Sequence, residues 1–109
     1  MVNIDYYSNI EIIQGENMNI TLKANDYKFI SSDKIIFVIS DKSNKCLVKK
    51  EFNLFEGNKC FIEFISIETL NFPVGEFSYS IIGYFDSDQV SYLIEDNKII
   101  IKEGLNCLK

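Results

Sequence analysis

Apolar and polar residues alternate with period two in a series of short runs, interrupted by turn-forming residues about every eight to twelve positions. Alternation of this kind specifies half-buried strands, because successive side chains of an extended backbone point to opposite faces. Residues 9–14 (NIEIIQ) make the first run, which Gly15-Glu16-Asn17 breaks. Residues 18–23 (MNITLK) make the second, with Met18, Ile20 and Leu22 on one face and Asn19, Thr21 and Lys23 on the other. A polar connection over 24–33 follows, in which Tyr27 and Phe29 are expected to plug one end of the core. Residues 34–40 (KIIFVIS) differ, because five consecutive apolar residues give this strand two apolar faces.

Asp41-Lys42-Ser43-Asn44 turns the chain into a strand over 45–55, and Glu56-Gly57-Asn58 reads as a hairpin turn joining it to a strand over 59–66. Pro73 and Gly75 mark a corner before a strand over 76–85. Asp86-Ser87-Asp88-Gln89 returns the chain through 90–95, and Glu95-Asp96-Asn97 is either a hairpin turn or a bulge ahead of 98–102. The count is seven or eight strands. There is no long helix, no internal repeat and no connection long enough for a crossover helix, so antiparallel pairing is expected. The pattern specifies an all-β antiparallel sandwich that forms one domain over residues 1–109.

At 109 residues, 47% hydrophobic and 25% charged, the chain is long enough to bury a core without disulfide or metal staples. Lysine supplies all 11 basic residues; arginine, histidine and tryptophan are absent. This usage, with many Ile and Asn, is that of an AT-rich genome such as a low-GC bacterium or its phage. A net charge of -5 and no guanidinium fork argue against nucleic-acid binding. No basic segment followed by an apolar run opens the chain, and no 18 consecutive residues are apolar, so synthesis in the cytosol and no membrane span are expected.

Candidate chemistry is sparse. Cys46, Cys60 and Cys107 include no C-x-x-C pair and have no histidine to complete a zinc site; the expectation is three reduced thiols, two of them packed as small hydrophobes. Ser, Thr and Cys lack a histidine base, and the five glycines are scattered singly and form no phosphate loop, so no enzyme activity and no cofactor are expected. Asp86, Asp88, Glu95 and Asp96 could together hold calcium, but their spacing matches no calcium loop and a solvated turn is the simpler reading. Tyr6, Tyr7, Tyr27, Tyr84 and Tyr92 could stack on a sugar, although they do not cluster in sequence.

The more informative feature is apolar residues on both faces of several strands. If Ile35, Phe37, Ile39, Cys60, Ile62, Phe64, Phe77, Tyr79 and Ile81 face the core, then Ile36, Val38, Phe61, Ile65, Ile82 and Tyr84 face outward. Soluble monomers rarely expose such a set in one patch, and covering it at a partner would contribute roughly 1.5–3 kcal/mol per large side chain before association costs. These six residues are the expected assembly interface, in a homo-oligomer or multi-copy array.

Three segments carry a family resemblance: G-E-N-x-N-I-T-L at 15–22, D-K-I-I-F-V-I at 33–39 and E-T-L-N-F-P-V-G-E-F-S-Y-S-I at 68–81. Together they resemble the immunoglobulin-like domain of phage and prophage virion proteins from low-GC Gram-positive bacteria, such as the N-terminal domain of the baseplate upper protein. The similarity spans residues 9–103. It implies an immunoglobulin-like antiparallel β-sandwich, with Tyr79 at the slot of the second antibody cysteine, Ile20 or Leu22 at the first and Phe37 at the tryptophan. Phe77 stands where the corner tyrosine would be, without its hydroxyl. The resemblance also implies a structural part of a virion (baseplate, tail, neck or capsid-surface accessory), made in the host cytoplasm, with other virion proteins as partners. A chain starting at its own methionine would then be a small decoration subunit. Two other classes compete: a carbohydrate-binding module and a small acidic inhibitor or immunity-type protein.

Overall fold

The computed structural model describes residues 3–4, 9–85 and 89–105. Nine strand segments and one helical turn appear among them: β1 (Asn3–Ile4), β2 (Ile10–Ile13), β3 (Met18–Asn25), β4 (Lys34–Ser40), β5 (Cys46–Phe52), β6 (Phe55–Glu56), β7 (Lys59–Phe64), α1 (Ser66–Thr69), β8 (Gly75–Phe85) and β9 (Gln89–Lys102). They form two sheets, one of four strands in the order β1-β3-β7-β6 and one of five in the order β2-β9-β8-β4-β5. The core between them is made by the expected alternation: Leu22, Ile62 and Phe64 from one sheet meet Ile35, Phe37, Ile39, Tyr79 and Ile81 from the other. Leu22 is buried and Ile20 only half-buried. Tyr79 stacks on Phe37 with ring centroids 5.5 Å apart.

Two expectations need correction. The strand over 45–55 does not form a hairpin with 59–66. Cys46–Phe52 pairs with β4, and only Phe55 and Glu56 pair with β7, so the chain crosses between sheets at Asn53 and Leu54. The physical cause is visible in the spacing: Phe52 and Phe55 both turn inward, and residues three apart cannot do so on one strand. Antiparallel pairing fails at one ladder, because β2 runs parallel to β9 with Ile10 opposite Ile99 and Ile12 opposite Ile101. No crossover helix is needed when the whole sandwich serves as the connection. Phe77 packs against the core as expected, opposite buried Ile99, and is half-buried there, its ring lying over Gly75, where a Cβ would stand 3.2 Å from it. Cys46 is exposed on edge strand β5 while Cys60 packs in the core of the opposite sheet, so the two thiols are free. Burial pushes the Cys60 thiol up to about 12, which leaves it inert. Cys107 lies outside the described residues.

Each end of the sandwich is closed by its own chemistry. At the end where β4 begins, Tyr27, Phe29, Phe55 and Phe85 form an aromatic lid, with Phe29 stacked on Phe55 at 4.8 Å and Tyr27 edge-on to Phe85 at 5.4 Å. Tyr27 and Phe29 thus plug the core as expected. Buried Asp33 holds this loop, accepting hydrogen bonds from the Tyr27 hydroxyl (2.7 Å) and the Ile30 N–H (2.9 Å). At the opposite end, buried Gln14 donates from Nε2 to the Phe72 carbonyl (2.7 Å) and accepts at Oε1 from the Gly104 N–H (3.2 Å). Buried Thr69 accepts from the Gly15 N–H (3.0 Å) and donates to the Glu16 carbonyl (2.7 Å). These bonds satisfy the backbone of three chain segments where the sheets stop.

Candidate functional site

The outer face of the five-stranded sheet is assembled in rows set by strand register. Near the aromatic lid, Lys34 of β4 lies opposite Tyr84 of β8, and Tyr84 opposite Val90 of β9. One step down, Glu51, Ile36, Ile82 and Tyr92 form a row across β5, β4, β8 and β9. The next runs from Lys49 through Val38 to Ser80, which faces the Glu95-Asp96 bulge. These rows place Ile36, Val38, Ile82, Tyr84, Val90 and Tyr92 side by side on adjacent strands. Tyr92 is 61% exposed, Val90 47% and Tyr84 36%, while Ile36, Val38 and Ile82 are half-buried by neighbours. Contiguity of this kind on a sheet face distinguishes a contact surface from scattered surface hydrophobes.

Below the third row the same face becomes polar. Ser40 lies opposite Ser78 and Ser78 opposite Lys98, whose ammonium pairs with Glu76 at 3.3 Å. An open hollow here is lined by Lys42, Glu76, Phe77, Ser78, Asp96 and Lys98. The border between the halves is the bulge. Glu95-Asp96-Asn97 is an interruption within one long strand, where Asp96 takes a φ of 51° and donates its N–H to Ser80 Oγ (3.1 Å).

Four of the six residues expected to face outward therefore come together: Ile36, Val38, Ile82 and Tyr84. Phe61 belongs to the outer face of the other sheet, opposite Thr21, and Ile65 is 58% exposed at the start of α1, past the end of β7. Val90 and Tyr92 complete the patch and were not in the expected set. By simple alternation Val90, Tyr92 and Ile94 share a face, but the register shifts by one residue between Ile81 and Ile82, so Ile94 turns into the core while Val90 and Tyr92 stay outside. Among the sugar-stacking candidates, Tyr84 and Tyr92 share this face, Tyr27 belongs to the lid, and Tyr6 and Tyr7 lie outside the described residues. Of the calcium candidates Asp86 and Asp88 lie outside them too, and among the described residues no three Cys, Asp or Glu side chains converge to hold a metal ion.

A charged seam ties the two sheets beside this face. Lys50 occupies an inward position on β5, opposite Phe37, and its stem runs out at the sheet edge with Nζ 5.2 and 5.0 Å from the Phe52 and Phe64 ring centroids. Nζ ends on Glu68 Oε2 of α1 (2.8 Å) and the Glu63 carbonyl (3.0 Å). The hydrogen bond from Lys50, with a second from the Ile65 N–H, holds the Glu68 carboxyl below the usual glutamate range.

No family model matches the chain, and no curated protein matches it in sequence. Among solved structures, the BTLA ectodomain is similar to it, with a TM-score of 0.51 over 95% of this chain and 99% of that one at 14% identity. At that identity the likeness is one of fold, and with two facing sheets joined across the core it makes the chain an immunoglobulin-like β-sandwich.

Proposed function

We propose that the chain is a non-catalytic assembly domain, a structural component of a bacteriophage or prophage particle that docks to other virion proteins through the apolar half of its five-stranded sheet. The observation that carries the assembly reading is the contiguous outward block on β4, β8 and β9, centred on Ile36, Ile82 and Tyr92. An apolar centre flanked by Lys34, Lys49 and Glu51 has the layout of a protein interface, with a dry middle and a charged rim. The virion assignment draws on the resemblance in segments 15–22, 33–39 and 68–81. Such a role needs a rigid scaffold and a sticky face, and no proton-transfer residue. Mass spectrometry of purified particles tests it: the wild-type chain is expected in the particle, and Ile82→Lys with Tyr92→Lys is expected to remove it. Absence of the wild-type chain from particles, or a defence-gene neighbourhood in place of tail and capsid genes, would overturn it.

A carbohydrate-binding reading draws on Tyr84 and Tyr92, which are exposed diagonal neighbours on β8 and β9. Titration with soluble oligosaccharides, followed by tyrosine fluorescence, separates the two readings: a saturable change lost in Tyr92→Ala favours the sugar.

A further inference from the structure

Resting on the assembly reading and naming its partner, we infer that a second copy of this chain covers the apolar half of the five-stranded sheet, in an isologous dimer whose two-fold axis runs parallel to the strands between β4 and β8. The charge pattern of the rows selects this occupant and this axis. Rotation about that axis sets each β4 residue against the β8 residue of the same row in the other copy, and each β5 residue against β9. Ile36 then meets Ile82 in the middle of the interface, twice by symmetry. Lys34 lies over the Tyr84 ring, a cation on an aromatic face. Glu51 meets the Tyr92 hydroxyl, and exposed Lys49 meets exposed Glu95, giving opposite charges at both ends of the third row.

The other in-plane axis, along the row that contains Ile36 and Ile82, sets Glu51 of one copy against Glu51 of the other and Val90 against the bulge acids. It places like charges and desolvated carboxylates where the first axis pairs them. Aligned sheet packing keeps strand directions within about 30°, so the row correspondence holds near the axis. The four strands this axis pairs, over the three rows from Lys34 to Val38, measure roughly 19 by 17 Å, a flat footprint on the order of 320 Å², so the dimer belongs to the small, weakly associating class of interface and its formation is concentration-dependent.

Sedimentation velocity and light scattering on the full chain, over a wide concentration range, test this directly. The wild type is expected to show a concentration-dependent dimer, and Ile82→Lys to weaken it by about fifty-fold or more. Lys49→Glu and Glu95→Lys alone are each expected to weaken it roughly tenfold, and the double swap to return within about threefold of wild type. Lys49 and Glu95 are exposed in the monomer, so the swap decides the matter even if Ile82→Lys fails to fold. A chain that stays monomeric, a dimer indifferent to Ile82→Lys, or a swap that does not restore association overturns the inference. A monomer that still enters particles leaves the assembly reading standing and removes this one alone.

Discussion

On the outer face of the four-stranded sheet, β3 and β7 set Asn19 beside Glu63, Thr21 beside Phe61 and Lys23 beside Lys59. On the outer face of the five-stranded sheet, β4, β8 and β9 set Ile36 beside Ile82 and Ile82 beside Tyr92. The inner faces of both sheets contribute to one shared aromatic core, so the fold makes no demand for this outer difference. A strand needs one apolar face to be held in a sandwich; a second apolar face on one sheet alone is surplus to folding and is available for contact. On the assembly reading proposed above, the asymmetry puts the contact on one sheet and leaves the other as its solvated support.

The largest effects should be equal on the two sides. Phe37 and Phe64 meet edge to face across the core at 5.4 Å, each buried, one from each sheet. Phe37→Ala and Phe64→Ala should each cost about 3–5 kcal/mol of unfolding free energy in urea titrations. A marked inequality would mean that the sheets do not contribute equally to the core. The outer faces should then diverge. Ile82→Lys and Phe61→Lys both replace half-buried outward residues, and each should cost about 1 kcal/mol of stability. Only Ile82→Lys should weaken association by the roughly fifty-fold or more expected above, read by light scattering; equal loss in both would break the assignment of contact to one sheet.

Most of the inner faces was legible from sequence, because period-two alternation in segments such as MNITLK maps directly onto the pleat. The outer patch was legible only where a strand was apolar on both sides, as in KIIFVIS, which exposed Ile36 and Val38. Val90 and Tyr92 were hidden by the bulge beside Leu93, since one extra residue inverts the parity from which a face is read. Phe61 and Ile65 were grouped with the patch because alternation tells in from out and cannot tell which sheet a strand joins. The crossing at Asn53 and Leu54 was missed for the same reason, although Phe52 and Phe55, three apart, carried its signature. The seam made by Lys50 was illegible because an inward lysine becomes sensible only when a sheet edge lets its ammonium out.

That seam gives a smaller effect, on the joint between the two sheets. Lys50→Met keeps the stem over Phe52 and Phe64 and removes the charge, and should cost about 1 kcal/mol at neutral pH, since the pair is partly exposed. Glu68 is held below its ordinary value of 4.5 chiefly by the hydrogen bond from Lys50. A depressed carboxylate contributes stability that is present above the unfolded value and is lost as pH falls through the folded one. The difference between wild type and Lys50→Met in urea should therefore shrink as pH drops below 4.5 and vanish in stronger acid. A difference independent of pH would assign the role of Lys50 to its stem and not to its charge.

The smallest effect lies on the solvated face and is the sharpest control on the comparison. Lys23 and Lys59 are directly opposite in register and both exposed, so two like charges face each other across the β3–β7 ladder. Like charges at such positions destabilise, and opposite ones stabilise by a few tenths of a kcal/mol. Lys59 is flanked on its other side by Glu56, so the change that relieves the repulsion and keeps that pair is Lys23→Glu, which should raise unfolding free energy by about 0.5 kcal/mol at low salt, with the gain fading as salt screens the pair. Lys49→Glu on the other sheet is a substitution of the same type, yet its cost should appear in association. If Lys23→Glu also shifts the dimer equilibrium, the two faces act as one electrostatic surface, and the division of labour between the sheets is lost. If it moves stability alone, net charge is excluded as the cause of the Lys49→Glu defect, because both substitutions change it by the same amount.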